Sequence, residues 1–582
     1  MRKKSILFSL FFMLISSIIL FRIIYPIYVA EEIIIPYGIH PFDICSKNPD
    51  LWKLIKTTYI FISMFSNFLI GNFLYTRILL KLFSIIKNLR SKFNNSKNDV
   101  SLNSYPKNFK NAPNLLQLKI GQTEDLKSTV YIPESGLFQN FLITGTIGSG
   151  KTSSAMYPFT RQLLQFNSKN PNKKIGMLIL DVKGNYYKQV QNYANNFGLA
   201  KDLIVLELHS KVFYNPLHKP HLKAKVLANR LKTILLLFSE NNSESYWLDK
   251  AEDILCECIK LCRLYNKGYV TFLEIHKLVT EPDYYKEKIK ILRDLFILGK
   301  LSHKQIYELN ASLNFFEKEF LNLDNRTKGI LISEITRITG TFVSDYDVMN
   351  TFCSPKNKLT FTGFDEVLSL GKIVVLNMNI FEYTNLSKII AAYLKLDFQA
   401  EVMAHLAKNN VNTSAFICDE YDKFATKTDS EFFSLSREAK CINIVSTQSY
   451  SSLKTTLHDE ATVKVIVQNL INKIWFRTDD IFTIEEAQKQ LGKEDKEKIS
   501  TSISESARET NFSYITNTLN SQNSNISETY STYLQNDFIY DSNFFTQNLE
   551  TFTALTFLSD GNKIFTPQKL KMFPHFKEKY GL

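Results

Sequence analysis

Few folds are open to a chain that carries Gly145-Thr146-Ile147-Gly148-Ser149-Gly150-Lys151-Thr152 directly after the apolar run Phe141-Leu142-Ile143. The octapeptide matches the phosphate-loop pattern G-x-x-x-x-G-K-[ST], and Ser153 continues the turn. Glycines let consecutive backbone N–H groups curl around phosphate oxygens, and the helix expected over Thr152–Gln165 adds the positive end of its dipole. Lys151 is expected to reach the β- and γ-phosphates, and the Thr152 hydroxyl to ligate Mg²⁺. ATP and Mg²⁺ are therefore the expected cofactors.

A phosphate loop needs an acid at the tip of a second strand. Ser414-Ala415-Phe416-Ile417-Cys418-Asp419-Glu420 is an apolar run that ends in two. Asp419 is expected in the metal shell, and Glu420 as the group that orients or deprotonates the attacking water. The next apolar run, Ile442–Ser446, leads into Thr447-Gln448-Ser449, and Gln448 at such a tip can sense the γ-phosphate and the water together. Arg437, eleven residues earlier, is placed to reach a neighbouring subunit's nucleotide. Lys151, Glu420, Gln448 and Arg437 are the expected catalytic residues.

Eight short β-branched runs alternate with helical patterns: Asn140–Thr144, Ile175–Asp181, Leu203–Leu206, Lys372–Asn377, Ala415–Asp419, Ile442–Thr447, Lys473–Phe476 and Ala554–Leu558. Continuous apolar runs of this length imply an α/β domain built on a parallel sheet buried on both faces. Residues 217–358 lack such strands and read as an inserted all-α domain, which splits the nucleotide-binding domain into 115–216 and 359–582. Residues 500–536 hold 21 Ser, Thr or Asn and no Gly or Pro, so a flexible or weakly paired polar segment is expected there.

The 582 residues carry a formal charge of +13, but residues 1–110 alone hold fifteen Lys/Arg against five Asp/Glu. The basic balance therefore follows the N-terminus and does not by itself indicate nucleic-acid binding. Two uncharged runs, Ser5–Phe21 and Thr57–Thr76, approach or reach the roughly 20 residues that cross a bilayer. Lys and Arg crowd outside both, while the loop between them, Glu31–Lys56, is near neutral. Residues 1–98 are thus expected to form a two-span membrane hairpin in the cell (inner) membrane, with both termini and the bulk of the chain cytoplasmic. A cleaved signal peptide is the alternative for the first run, weakened by the absence of a clear A-x-A site.

With these motifs in order, the chain resembles the coupling ATPases of type IV secretion, the TraG/TraD-type conjugative DNA-transfer proteins. Beside the phosphate loop and Asp419-Glu420, the resemblance rests on Asp181-Val182-Lys183-Gly184, on Asn215-Pro216-Leu217 before the helical stretch, and on Arg437 followed by Gln448-Ser449. Asn185 stands where the family often has Glu, and Lys440-Cys441 replaces its usual aromatic-Gly or basic pair. The resemblance implies a RecA-like P-loop NTPase domain, ATP hydrolysis and a homo-hexameric ring. It also implies partners: the membrane, the channel components, and relaxase-bound single-stranded DNA or secreted protein substrates. A chromosome-segregation DNA pump is disfavoured because the chain ends soon after the last strand. A non-hydrolysing docking receptor is disfavoured by Glu420 and Gln448.

Other clusters are expected to be structural. Seven cysteines are too few and too scattered for a disulfide scaffold, and Cys256, Cys258 and Cys262 on one helix read as free apolar thiols. His209, His218 and His221 flank the Asn-Pro-Leu turn without metal spacing or nearby carboxylates, and read as loop residues.

Overall fold

The computed structural model describes residues 10–13, 15, 25–39, 47–73, 115–125, 128–170, 173–237, 245–408, 412–505, 510–513, 518–521 and 526–577. They fall into two units, Met1–Asn103 and Ser104–Leu582. In the first, the helix Pro49–Phe73 is the one described element long and apolar enough to cross a membrane. Leu54, Phe61, Ile62, Phe65, Leu69 and Ile70 stand exposed along it. Near its start, Trp52 and Lys56 both donate to the Glu31 carboxylate. The first expected span, Ser5–Phe21, lies mostly outside the described residues.

In the second unit, the apolar runs become strands because each can bury both faces. Strands β3 (Phe141–Thr144), β4 (Gly176–Leu180), β5 (Leu203–Leu206), β6 (Ile373–Leu376), β7 (Ser414–Cys418), β8 (Cys441–Thr447) and β9 (Asn472–Trp475) pair in parallel. Their order is β9-β3-β8-β7-β4-β6-β5. Every residue of β3, β4, β6, β7, β8 and β9 is buried. Alternate residues feed an apolar layer on each side, Leu142, Leu178, Phe416 and Val445 on one and Phe141, Ile179, Ile417 and Ile444 on the other.

The sheet is not wholly parallel, which corrects the expectation for Ala554–Leu558. Strand β14 (Thr553–Phe557) runs antiparallel to β9, and β15 (Gln568–Met572), β1 (Gln117–Thr123) and β2 (Thr129–Pro133) extend that edge antiparallel to an eleven-stranded whole. The ten residues between β14 and β15 are too few for a helical crossover, so the chain must turn back on itself.

Between β5 and β6 the described segments are helical. Ala224–Leu236 packs against Ser245–Tyr265, and their buried Leu227, Leu231, Ile234, Leu255, Cys258 and Cys262 share one apolar cluster. Helix starts carry their own signals. Thr271 with Glu274 and Ser302 with Gln305 form reciprocal capping boxes, and Asp324 and Asp345 cap the next two helices. The segment is tied to the sheet domain by a buried charge cluster. Asp397, on the long helix Ile380–Ala407, receives Lys219 at 2.7 Å, Arg230 at 2.5 Å and the Tyr214 hydroxyl at 3.0 Å.

The polar tract is paired more fully than its composition implies. Strands β10 (Lys493–Glu505) and β13 (Ile526–Phe538) form an unbroken antiparallel ladder from Lys493–Phe538 to Glu505–Ile526. Short β11 (Thr510–Ser513) and β12 (Thr518–Ser521) pair beyond it. Ser, Thr, Ile and Tyr suit a pleated ribbon even where little is buried, and the ladder supplies the backbone hydrogen bonds that packing does not.

Candidate functional site: a phosphate loop facing paired carboxylates

The loop after β3 is shaped by three glycines for different reasons. A side chain at Gly145 would stand 2.6 Å from Phe476 Cβ, and Gly148 adopts a φ of +78°. Gly150 does both, with φ +103° and the Phe552 ring 2.6 Å from where a Cβ would sit. Thr146 N–H donates to the Arg477 carbonyl at 2.8 Å, and Phe552 N–H to the Ser149 carbonyl at 3.1 Å. The His575 N–H donates to the Ser153 carbonyl at 2.8 Å. The antiparallel edge thus supplies part of the cradle. Ile147 stands out into solvent. The following helix opens as a π turn over Thr152–Met156 and continues as Tyr157–Gln165.

Lys151 is buried and folds back onto the carbonyls of Gly145 and Thr146. Burial pulls its ammonium below the ordinary lysine range, and the nearby Asp419 and Glu420 charges oppose that pull. The Thr152 hydroxyl donates to Asp419 Oδ2 at 2.7 Å, and Ser446 at the end of β8 donates to Oδ1. Asp419 is wholly buried; desolvation raises its pKa, against the hydrogen bonds from Ser446 and Thr152. This arrangement fits Mg²⁺: Thr152 can offer an oxygen lone pair to a cation while its O–H still donates to Asp419.

Glu420 follows in the left-handed conformation, φ +52°, where a non-glycine residue is strained. Its two oxygens are held from opposite sides. Lys183 Nζ donates to Oε1 at 3.2 Å, and Gln448 Nε2 to Oε2 at 3.1 Å. The flanking loop is fixed by Asp429, which accepts from Lys395, Tyr421, Gln399 and the Thr426 N–H. Glu420 is therefore aimed by structure on both sides of it.

Of the residues singled out from sequence, 145–153, Asp419, Glu420 and Gln448 gather at the C-terminal ends of the central parallel strands β3, β7 and β8. Arg437 does not join them. It precedes β8 at the opposite end from Gln448, and its guanidinium donates to the Gly561 carbonyl at 3.3 Å. Lys183 is the residue whose role the sequence left open. Asp181 accepts the N–H groups of Lys183, Asn185 and Tyr186, which starts the helix Tyr186–Phe197. Gly184, at φ +65° with the Asn379 backbone 2.9 Å from a notional Cβ, completes the turn. The Asp-Val-Lys-Gly motif thus delivers Lys183 to Glu420. Burial pulls the Lys183 pKa down, but the Asp419 and Glu420 charges together outweigh it and raise it.

Two sequence expectations outside this site have different outcomes. Cys256, Cys258 and Cys262 are buried free thiols. The histidines are not free of carboxylates: His209 lies 3.6 Å from Asp347 and His221 3.7 Å from Glu401, both brought close by folding across more than a hundred residues.

Residues 414–536, from β7 through most of β13, match the family model described as the TraM recognition site of TraD and TraG. Over those residues the chain is similar to the TraG/TraD proteins. Solved structures agree in fold. The unbound bacterial conjugative coupling protein TrwBdeltaN70 matches 78% of this chain and 88% of its own, at 13% identity and a TM-score of 0.50. TrwB with the ATP analogue ADPNP matches 79% and 94%, at 12% identity and 0.51. TrwB with ADP and Mg²⁺ matches 76% and 87%, at 12% and 0.51. No curated protein matches the sequence.

Proposed function

We propose that this chain is a membrane-anchored, Mg²⁺-dependent ATPase that couples conjugative DNA substrates to a type IV secretion channel. One observation carries the reading: Thr152 bonds Asp419 across 267 residues of sequence, beside a Glu420 gripped by Lys183 and Gln448. Residues 145–153 would hold the triphosphate of ATP, with Thr152 and Asp419 about the metal. Bound Mg²⁺ would neutralise phosphate charge. Lys151 would exchange two backbone carbonyls for phosphate oxygens, which bear far more negative charge. Glu420 would orient or deprotonate water, and Gln448 would register the presence of the γ-phosphate. The solved nucleotide complexes of TrwB support this choice of ligand.

In this reading the protein is a homo-hexamer, and its substrates are relaxase-bound single-stranded DNA or secreted proteins. Two spans within residues 1–98 anchor it in the inner membrane, residues 115–216 and 359–582 form the motor, and 217–358 face the substrate. Arg437 acts across a subunit boundary, which suits its distance from its own chain's phosphate loop. Phosphate release tests the enzyme: Glu420→Gln should retain ATP and lose turnover. Normal hydrolysis by that variant would remove Glu420 from the mechanism. Mixing Arg437→Ala with Lys151→Ala chains should restore part of the activity, and no recovery in demonstrated mixed rings would refute action in trans.

A further inference from the structure

On the long helix Ile380–Ala407, Glu401 and His405 stand one turn apart and share a face. Two other segments close on that turn. Asp365 comes from the helix Phe364–Leu370, and His221 from the approach to Ala224–Leu236. His405 Nε2 is 2.9 Å from Asp365 Oδ1 and 4.0 Å from Glu401 Oε1, while His221 Nε2 is 3.7 Å from Glu401 Oε2. One ligand atom each from Asp365, Glu401 and His405 lies within 4.8 Å of the others. Ligands about 2.0–2.2 Å from a tetrahedral Zn²⁺ stand roughly 3.3–3.6 Å apart, so shifts of about an ångström or less would bring these three to a common centre.

A second observation separates this cluster from an ordinary ion pair. The Glu401 and His405 side chains are only 7% and 6% exposed, and His405 Nδ1 is buried with no hydrogen-bond partner among the described residues. The Glu401 carboxylate faces the two imidazoles at 3.7 and 4.0 Å. Two imidazoles and a carboxylate gathered with so little solvent around them suit a shared cation better than separate hydration. Mixed imidazole and carboxylate donors favour Zn²⁺ over Mg²⁺.

We propose that Asp365, Glu401, His405 and His221 form a Zn²⁺ site that clamps the two ends of the helical stretch to the long helix. The cation would sit between His405 Nε2 and Asp365 Oδ1 in place of their direct contact. The site is independent of the nucleotide reading and shares no residue with it.

The test uses the full chain in detergent, stripped with chelator, then loaded with Zn²⁺ alone and desalted. One retained equivalent per chain by elemental analysis is expected, and Co²⁺ in its place should give the visible absorption of a four-coordinate ion. His405→Ala and Glu401→Gln should lose the equivalent, with apparent affinity falling at least about tenfold. Asp365→Asn and His221→Ala alter side chains that are 66% and 53% exposed, so they keep the test valid if the buried variants misfold. Both should weaken binding, while Lys151→Ala should leave it unchanged. No retained Zn²⁺ in the wild type, unchanged retention in Asp365→Asn and His221→Ala, or loss instead in Lys151→Ala would each overturn the proposal.

Discussion

Two buried lysines in the same unit, Lys151 and Lys395, face carboxylates in opposite ways. Lys395 is fully buried and spends its three protons on the Phe424 carbonyl at 2.7 Å, the Thr426 hydroxyl at 2.8 Å and Asp429 at 2.6 Å. Asp429 in turn accepts from Tyr421, Gln399 and the Thr426 N–H. Every charge there is answered. Lys151 has the charges of Asp419 and Glu420 nearby but donates only to two backbone carbonyls. A neutral acceptor is easily outbid by a phosphate, so the second arrangement suits a ligand and the first suits a scaffold. Lys395 reaches from the long helix Ile380–Ala407 to Asp429, which ends the loop that leaves Glu420, so the complete ion pair aims the adaptable site.

The largest effect should come from opening the complete pair. Lys395→Met leaves Asp429 buried and short of its cation, at a cost of about 3–5 kcal/mol. Denaturant unfolding of the full chain in detergent would measure it. The double variant Lys395→Met with Asp429→Leu should recover part of that loss, since an uncompensated charge no longer remains. Recovery stays partial because Tyr421, Gln399 and the Thr426 N–H lose their acceptor. A single-variant loss below about 1 kcal/mol would refute the assignment of this pair as a scaffold.

Lys151→Met should show the reverse profile. Turnover should drop on the order of 10²–10³-fold or more, the scale of losing one preorganised charge at a reacting phosphate. Unfolding stability should hold or rise slightly, since a desolvated ammonium is removed from carbonyl acceptors alone. If Lys151→Met destabilises the chain as much as Lys395→Met, the contrast between the two lysines fails.

Much of this contrast could be read from the chain, but only where chemistry is local. The phosphate loop is eight contiguous residues, and the parallel strands announce themselves as continuous apolar runs. Asp419, Glu420 and Gln448 lie at strand ends, so finding the strands located them. Lys183 was different. Its motif was visible, yet its partner Glu420 is 237 residues away, and only the pairing of β4 with β7 brings them together. The antiparallel edge was missed for a related reason. Strand β15, Gln568–Met572, alternates lysine with apolar residues and shows no continuous apolar run. The cross-sequence approach of His221 to Glu401 left no periodic trace at all.

A third lysine sharpens the comparison most finely, because it has neither a carboxylate nor a phosphate. Lys473 lies in β9, buried, with its ammonium donating to the Leu470 carbonyl at 3.1 Å and the Phe557 ring 5.9 Å away. Burial alone brings its pKa down to about 8 from 10.5. Below pH 8 the folded and unfolded chains both carry the charge, so the folded state bears the full desolvation cost. Between about pH 8 and 10.5 the unfolded chain binds more protons, and stability rises with pH as that cost fades. Lys473→Met should therefore stabilise the protein near pH 7, by about 1–3 kcal/mol at most. The gain should shrink steadily above pH 8 and be nearly gone by the ordinary lysine range. Matched unfolding curves of wild type and variant across that interval would measure it. A pH-independent difference would mean that Lys473 titrates alike in the folded and unfolded chains, and that packing rather than charge separates it from Lys151 and Lys395.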